Sequence, residues 1–241
     1  MIKVENIEPW GFEHAIRGMR NPMNSWDKSD SYENYTVEWS EDNPPAEIRR
    51  PYYRIGAADL SLMRRLYSAG PEHRKYLRQI FVSMDITAPL YWWKEMDQYK
   101  VGTTTNSTST MHKLASTPIT RDCFSLDKGI SALVITSGYE EEGDTTELTF
   151  KEAIDDVLYM LEHLRERFNQ TKSSSYWRAL IQLLPESWNQ TRTWTANYQV
   201  LRNIYFARKN HKLQEWRDFC ERIEYLPYGK ELITFVKEGE K

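Results

Sequence analysis

The chain has 241 residues, a formal charge of −3 and a pI near 6.0, which excludes a dedicated nucleic-acid binder with its strong basic excess. Two cysteines, Cys123 and Cys220, cannot make a disulfide framework, and no apolar run is long enough to cross a bilayer. The expectation is a cytoplasmic protein with no signal peptide, no membrane partner and no nucleic-acid partner; nine Trp and fifteen Tyr point to a core built from rings.

In chain order, Ile2–Ile7 alternates apolar and polar residues and reads as a strand, and Trp10–Met19 as a short helix ended by Asn21-Pro22. Asn21–Pro51 is polar and reads as a long irregular excursion, a length that marks function or disorder. Ala57–Ala69 reads as a helix with Leu60, Met63 and Leu66 on one face, and Glu72–Leu77 adds a further helical turn or two. Ile80–Ile86 carries apolar residues at every second position, the pattern of a half-buried strand.

The stretch from Thr87 to Lys113 is the most distinctive. Thr87 offers a cap and Pro89 a first turn for a helix over Leu90–Lys100, with Trp92, Met96 and Tyr99 on one stripe and Glu95 on its flank. Gly102 then breaks the helix. Of the eight residues from Thr103 to Thr110, all but Asn106 carry a hydroxyl, with Lys100 before them and His112-Lys113 after. Hydroxyls, exposed backbone N–H groups and flanking cations could cradle a phosphate; composition alone fits a flexible Ser/Thr linker as well.

Pro118–Leu126 reads as loop and Ser131–Thr136 as a strand, followed by an acidic turn, Glu140–Asp144. Thr149 and Glu152 form a capping box ahead of a helix whose stripe is Ile154, Val157, Leu158, Leu161 and Leu164. Ser173–Leu184 reads as a helix stopped by Pro185, and Glu186–Lys209 as the longest helix, followed by another over His211–Leu226. Trp194, Tyr198, Leu201, Ile204 and Tyr205 share a face of that long helix with Asn197 and Arg208. An amide and a guanidinium on an apolar stripe need partners, structural or ligand, because an unpaired buried polar group costs about 2–7 kcal/mol. Asn203 lies on the opposite side. The five histidines lack ligand spacing, so no metal site is expected, and no Walker-type or G-x-G-x-x-G loop is present.

Two blocks, APLYWWKEMDQYKVGTTTNSTST and LLPESWNQTRTWTANYQVLRNIYFARKNHKLQEW, resemble the flavin-dependent thymidylate synthases. In the first, Tyr99 and Lys100 take the place of the last two members of an R-H-R-type triplet, and Asn106 and Ser109 match the hydroxyl-rich loop. In the second, Leu184-Pro185, Trp194, Asn197, Asn203, Arg208 and Gln214 fit the family spacing without a gap.

The resemblance implies one α/β (α+β) domain over 1–241, with a small antiparallel sheet, surrounding long helices and a homotetramer holding FAD between subunits. It implies conversion of dUMP to dTMP with methylenetetrahydrofolate as carbon donor and NADPH as reductant. Alternatives are a related flavoenzyme on another pyrimidine nucleotide, or a non-catalytic nucleotide-binding homologue. Carried over, Arg208 is catalytic and lies against the pyrimidine. Glu95, Asn106, Ser107, Thr108, Ser109, Met111 and Arg178 line the nucleotide. His73, Tyr99, Lys100, Asn197 and Asn203 contact FAD. The chain departs from the pattern at the triplet, which keeps one cation, and at the loop's closing arginine, here Met111. It also departs at Ile181, where the family has an arginine and Arg178 lies one turn earlier.

Overall fold

The structure, a computed structural model, describes residues 2–42, 44, 46–137 and 147–236. The acidic turn Glu140–Asp144 lies outside the described residues. In chain order the elements are β1 (Lys3–Trp10), α1 (Phe12–Arg20), β2 (Tyr32–Trp39), β3 (Glu47–Arg54), α2 (Ala57–Ser68), β4 (Phe81–Pro89), α3 (Leu90–Met96) and β5 (Thr104–Ser107). They continue with α4 (Thr110–Lys113), β6 (Val134–Ser137), β7 (Glu147–Thr149), α5 (Phe150–Thr171), α6 (Ser174–Leu183), β8 (Asn189–Asn197), α7 (Tyr198–Arg208) and α8 (Gln214–Glu224).

A four-stranded sheet has the order β1-β4-β8-β5. Side-chain hydrogen bonds join Ser83 to Thr195, Asp85 to Thr193 and Thr87 to Thr191. The partners step in opposite directions, so β4 and β8 run antiparallel. The alternation in β4 buries Val82, Met84, Ile86 and Ala88, as its period of two requires. Two small antiparallel ribbons, β2-β3 and β6-β7, complete the strands among the described residues.

The chain divides into two compact units. One holds Val4–Met84, Tyr99–Thr104 and Trp194–Lys241. Its core joins Phe12, Ile16, Met63, Leu77, Tyr198, Leu201, Trp216, Phe219 and Leu232, all nearly inaccessible. Residues 21–51 are not an irregular excursion throughout, because β2 pairs with β3 from Tyr32↔Arg54 to Trp39↔Glu47. Their alternation is weak because most of the ribbon's side chains stay exposed, and cross-strand contacts carry it instead. Arg50 pairs with Glu38 at 2.7 Å, and the Arg54 guanidinium lies over the Tyr32 ring. Pro51 is tolerated because a two-stranded ribbon has outer edges where a missing N–H costs nothing.

The segment before this ribbon is pinned by a buried ion pair. Arg20 Nε donates to Asp59 Oδ1 at 2.6 Å, while its other nitrogens donate to the carbonyls of Ser25 and Lys28. The second Asp59 oxygen accepts from the hydroxyls of Ser29 and Ser31. Burial alone works against this carboxylate, but those hydroxyls and the guanidinium outweigh it and hold its pKa below the ordinary value.

The other unit holds Asp85–Gln98 and Thr105–Thr193 with the first residues of the chain. Here α5 packs on α6, and Leu161 and Leu180 are buried with Leu114, Ile119 and Phe124. The Thr149–Glu152 capping box forms as the sequence predicts. The predicted strand over Ser131–Thr136 shrinks to β6, whose Val134 and Ile135 are exposed.

Two segments differ from the helices that the sequence pattern predicts. The one predicted over Leu90–Lys100 ends at Met96, and Thr87 does not cap it: β4 runs to Pro89 and the Thr87 hydroxyl bonds Thr191. The long helix predicted over Glu186–Lys209 is strand β8 followed by α7. Thr191, Thr193 and Thr195 alternate with residues whose side chains meet the other face, a period of two with β-branched residues that outweighs the helical stripe. The longest described helix is α5, at 22 residues.

Candidate functional site

In the unit containing α7, Arg208 is half-buried at the helix's last position. Its Nε donates to the Tyr99 hydroxyl at 3.0 Å. Its guanidinium carbon lies 4.8 Å from the Trp216 ring centroid and 5.8 Å from that of Tyr99. The two rings meet edge-on with centroids 6.2 Å apart. Tyr99 is held in turn by Thr103, whose hydroxyl donates to the Tyr99 carbonyl at 2.7 Å. Trp216 is fully buried on α8, and His211 meets its edge at 6.2 Å. Arg208 therefore sits in an aromatic cage, where a guanidinium is favoured by the ring faces.

Asn197 finds a structural partner. It is the N-cap of α7, its side-chain oxygen accepting from the Val200 N–H at 3.0 Å. Gly102 is left-handed, with φ +75°, and a Cβ there would stand 3.0 Å from the Asn197 amide nitrogen. Lys100, His73 and Asn203 are exposed, and the Asn203 oxygen accepts from Gln199 one turn earlier. Of the predicted flavin residues in this unit, the structure thus brings Tyr99 to Arg208 and Asn197 to Gly102, and leaves the other three at the surface.

Cys220 on α8 is no nucleophile. Burial, aided by the charge of Glu224, pushes its thiol up to about 12, so it stays protonated at neutral pH.

The hydroxyl-rich stretch, which from Thr105 onward belongs to the other unit, is folded and is not a flexible linker. Thr104–Ser107 is the edge strand β5, the Thr108 N–H donates to the Thr191 carbonyl, and Ser109 caps the single turn of α4. The Ser109 oxygen accepts from the His112 N–H and lies 2.7 Å from His112 Nδ1. Gln190 spans to the Thr108 carbonyl at 2.9 Å, and the Trp177 indole donates to the Met111 carbonyl. Asn106, Ser107 and Thr108 are exposed, the Met111 side chain is half-exposed, and Arg178 is exposed on α6. Glu95 is half-buried on α3. Trp93 is structural: its indole donates to the Gln190 carbonyl and Arg192 stacks on its face at 4.2 Å.

The sequence left Trp216 and Gln190 unnoticed. Trp216 stands eight residues after Arg208, and only the turn between α7 and α8 returns it to the guanidinium. Among the described residues no group of His, Cys, Asp and Glu could hold a metal ion, and no helix is long and apolar enough to cross a membrane.

No family model matches the chain, and no curated protein matches its sequence. Solved structures do match. Thymidylate synthase X from Helicobacter pylori, crystallised with FAD and dUMP, superposes with a TM-score of 0.62 at 14% identity, covering 97% of each chain. The fold is that of the flavin-dependent thymidylate synthases. PolB from Streptomyces cacaoi, a UMP/dUMP methylase bound with 5-Br UMP, matches with a TM-score of 0.55 at 13% identity, over 93% of this chain and 88% of that one. The likeness covers nearly the whole chain and supports the predicted α/β class with small antiparallel sheets and helices.

Proposed function

We propose that the whole chain, 1–241, is a divergent FAD-dependent thymidylate synthase that converts dUMP to dTMP with methylenetetrahydrofolate as carbon donor and NADPH as reductant. The observation that carries this reading is the caged guanidinium of Arg208 on a chain with the thymidylate synthase X fold. It further takes the protein to be a cytoplasmic homotetramer.

For C5 of the pyrimidine to attack an electrophilic one-carbon unit, the uracil ring must first take on enolate-like negative charge, which the new C–C bond then consumes. A cation held rigidly beside that ring stabilises the charge without reorganising, and this is the role assigned to Arg208. The Ser109–His112 pair and the backbone of residues 106–111 are assigned to the nucleotide's phosphate and sugar, with Glu95, Met111 and Arg178 in the same substrate-binding set. The donors present suit an anionic, ring-bearing cofactor: Lys100 is an exposed cation, Asn203 an exposed amide, and Gly102 leaves open the space beside the Asn197 amide. FAD held by these residues with Tyr99 and His73 would supply the reducing equivalents. No side chain here is required as a nucleophile, in keeping with the protonated thiol of Cys220.

A second reading is a flavoenzyme on another pyrimidine nucleotide, favoured by the match to a UMP/dUMP methylase. The purified protein is expected to be yellow, to bind dUMP and to restore growth of a thymidine-requiring bacterium. Flavin binding with UMP preferred over dUMP supports the second reading. Absence of both flavin and nucleotide binding refutes both.

A further inference from the structure

We infer that Tyr99 is the positioning residue for Arg208, fixing the guanidinium that acts on the pyrimidine; this rests on the thymidylate synthase reading above. An arginine at the end of a helix has a long side chain with many rotamers, and one constraint does not orient it. Trp216 and Tyr99 each supply one. The fully buried Trp216 indole backs the guanidinium from one side, its ring centroid 4.8 Å from the guanidinium carbon. The Tyr99 hydroxyl, accepting from Nε at 3.0 Å, fixes the direction of that N–H.

Tyr99 is itself anchored at both ends. The Thr103 hydroxyl donates to its carbonyl, and its ring abuts the edge of Trp216. The left-handed Gly102 lets the segment between Tyr99 and Thr103 approach the start of α7 closely, where a Cβ would come within 3.0 Å of Asn197. The acceptor thus belongs to the same framework as the helix that carries Arg208. A neutral hydroxyl orients the group without cancelling its charge, as a carboxylate would.

The test is Tyr99→Phe, which keeps the ring and removes only the acceptor. In the unaltered protein the Arg208 Nε–H resonance, assigned by its loss in Arg208→Lys, is expected to be protected from exchange with water. In Tyr99→Phe that protection is lost and kcat falls about 10-fold with KM for dUMP nearly unchanged, the pattern of an interaction needed in the transition state. A merely structural hydroxyl would lower the melting temperature and leave both readouts alone. A protected resonance in Tyr99→Phe, or its loss with kcat unchanged, overturns the inference. No turnover by the unaltered protein refutes the synthase reading instead, while the resonance still decides whether Tyr99 holds Arg208.

Discussion

Arg20 and Arg208 lie in one unit of the protein, and their surroundings differ in kind. Arg20 is spent on structure: its nitrogens meet a buried carboxylate and two carbonyls, and 4% of its surface remains accessible. Arg208 is half-buried, rests on an indole face and gives its Nε to a neutral hydroxyl. A guanidinium that meets a carboxylate and two carbonyls organises the chain around it, whereas the Trp216 ring and the Tyr99 hydroxyl orient Arg208 without adding a charge of their own.

The sharpest way to break this contrast is to remove each arginine in turn. Arg20→Ala leaves the Asp59 carboxylate buried without its cation, and denaturant unfolding is expected to show a loss of about 3–5 kcal/mol. The same cluster predicts a pH dependence. The Asp59 pKa is depressed in the folded state, so its contribution is fully present above the unfolded value of about 4 and is lost as pH falls through the lower folded value. Asp59→Asn should therefore flatten the acid limb of the stability curve; an unchanged limb would detach Asp59 from acid unfolding.

Arg208→Ala is expected to do the converse. Turnover falls about 10²–10³-fold, while stability changes by only about 1 kcal/mol, as steady-state kinetics and a thermal melt would register. A large stability loss at unaltered turnover would make Arg208 a second Arg20.

Smaller effects refine the picture around Tyr99. Gly102→Ala forces a Cβ into a left-handed backbone beside Asn197 and should cost about 1–2 kcal/mol. Asn197→Ala removes the cap of α7 and should cost about 1 kcal/mol in chemical denaturation. If neither substitution alters flavin binding, Asn197 belongs to the framework alone.

The sequence revealed elements wherever a local signal and the burial pattern agreed. The β4 alternation, the capping box at Thr149 and the stop at Pro185 are of this kind. It misled where a segment satisfied two periods at once. Trp194 and Tyr198 are four residues apart and match a helical face, yet Trp194 is buried from a strand and Tyr198 from the helix that follows. The β2-β3 ribbon escaped notice because exposed strands carry no hydrophobic alternation. Of the candidate site, Arg208 could be singled out as a charge on an apolar stripe. Its indole support could not, since Trp216 has an ordinary helical setting until the turn after α7 folds it back.

No connecting residue separates β8 from α7: Asn197 ends the strand, caps the helix, and the Tyr198 N–H still donates to the Ile80 carbonyl in continuation of the strand pairing. The sheet thereby indexes the helix like a keyed shaft. Each residue of an α-helix turns its side chain through about 100°, so inserting or deleting one residue ahead of Asn197 either breaks the pairing or swings position 208 off its indole seat. Length between Gln190 and Arg208 is therefore a stricter requirement for this protein than the identity of most side chains within it.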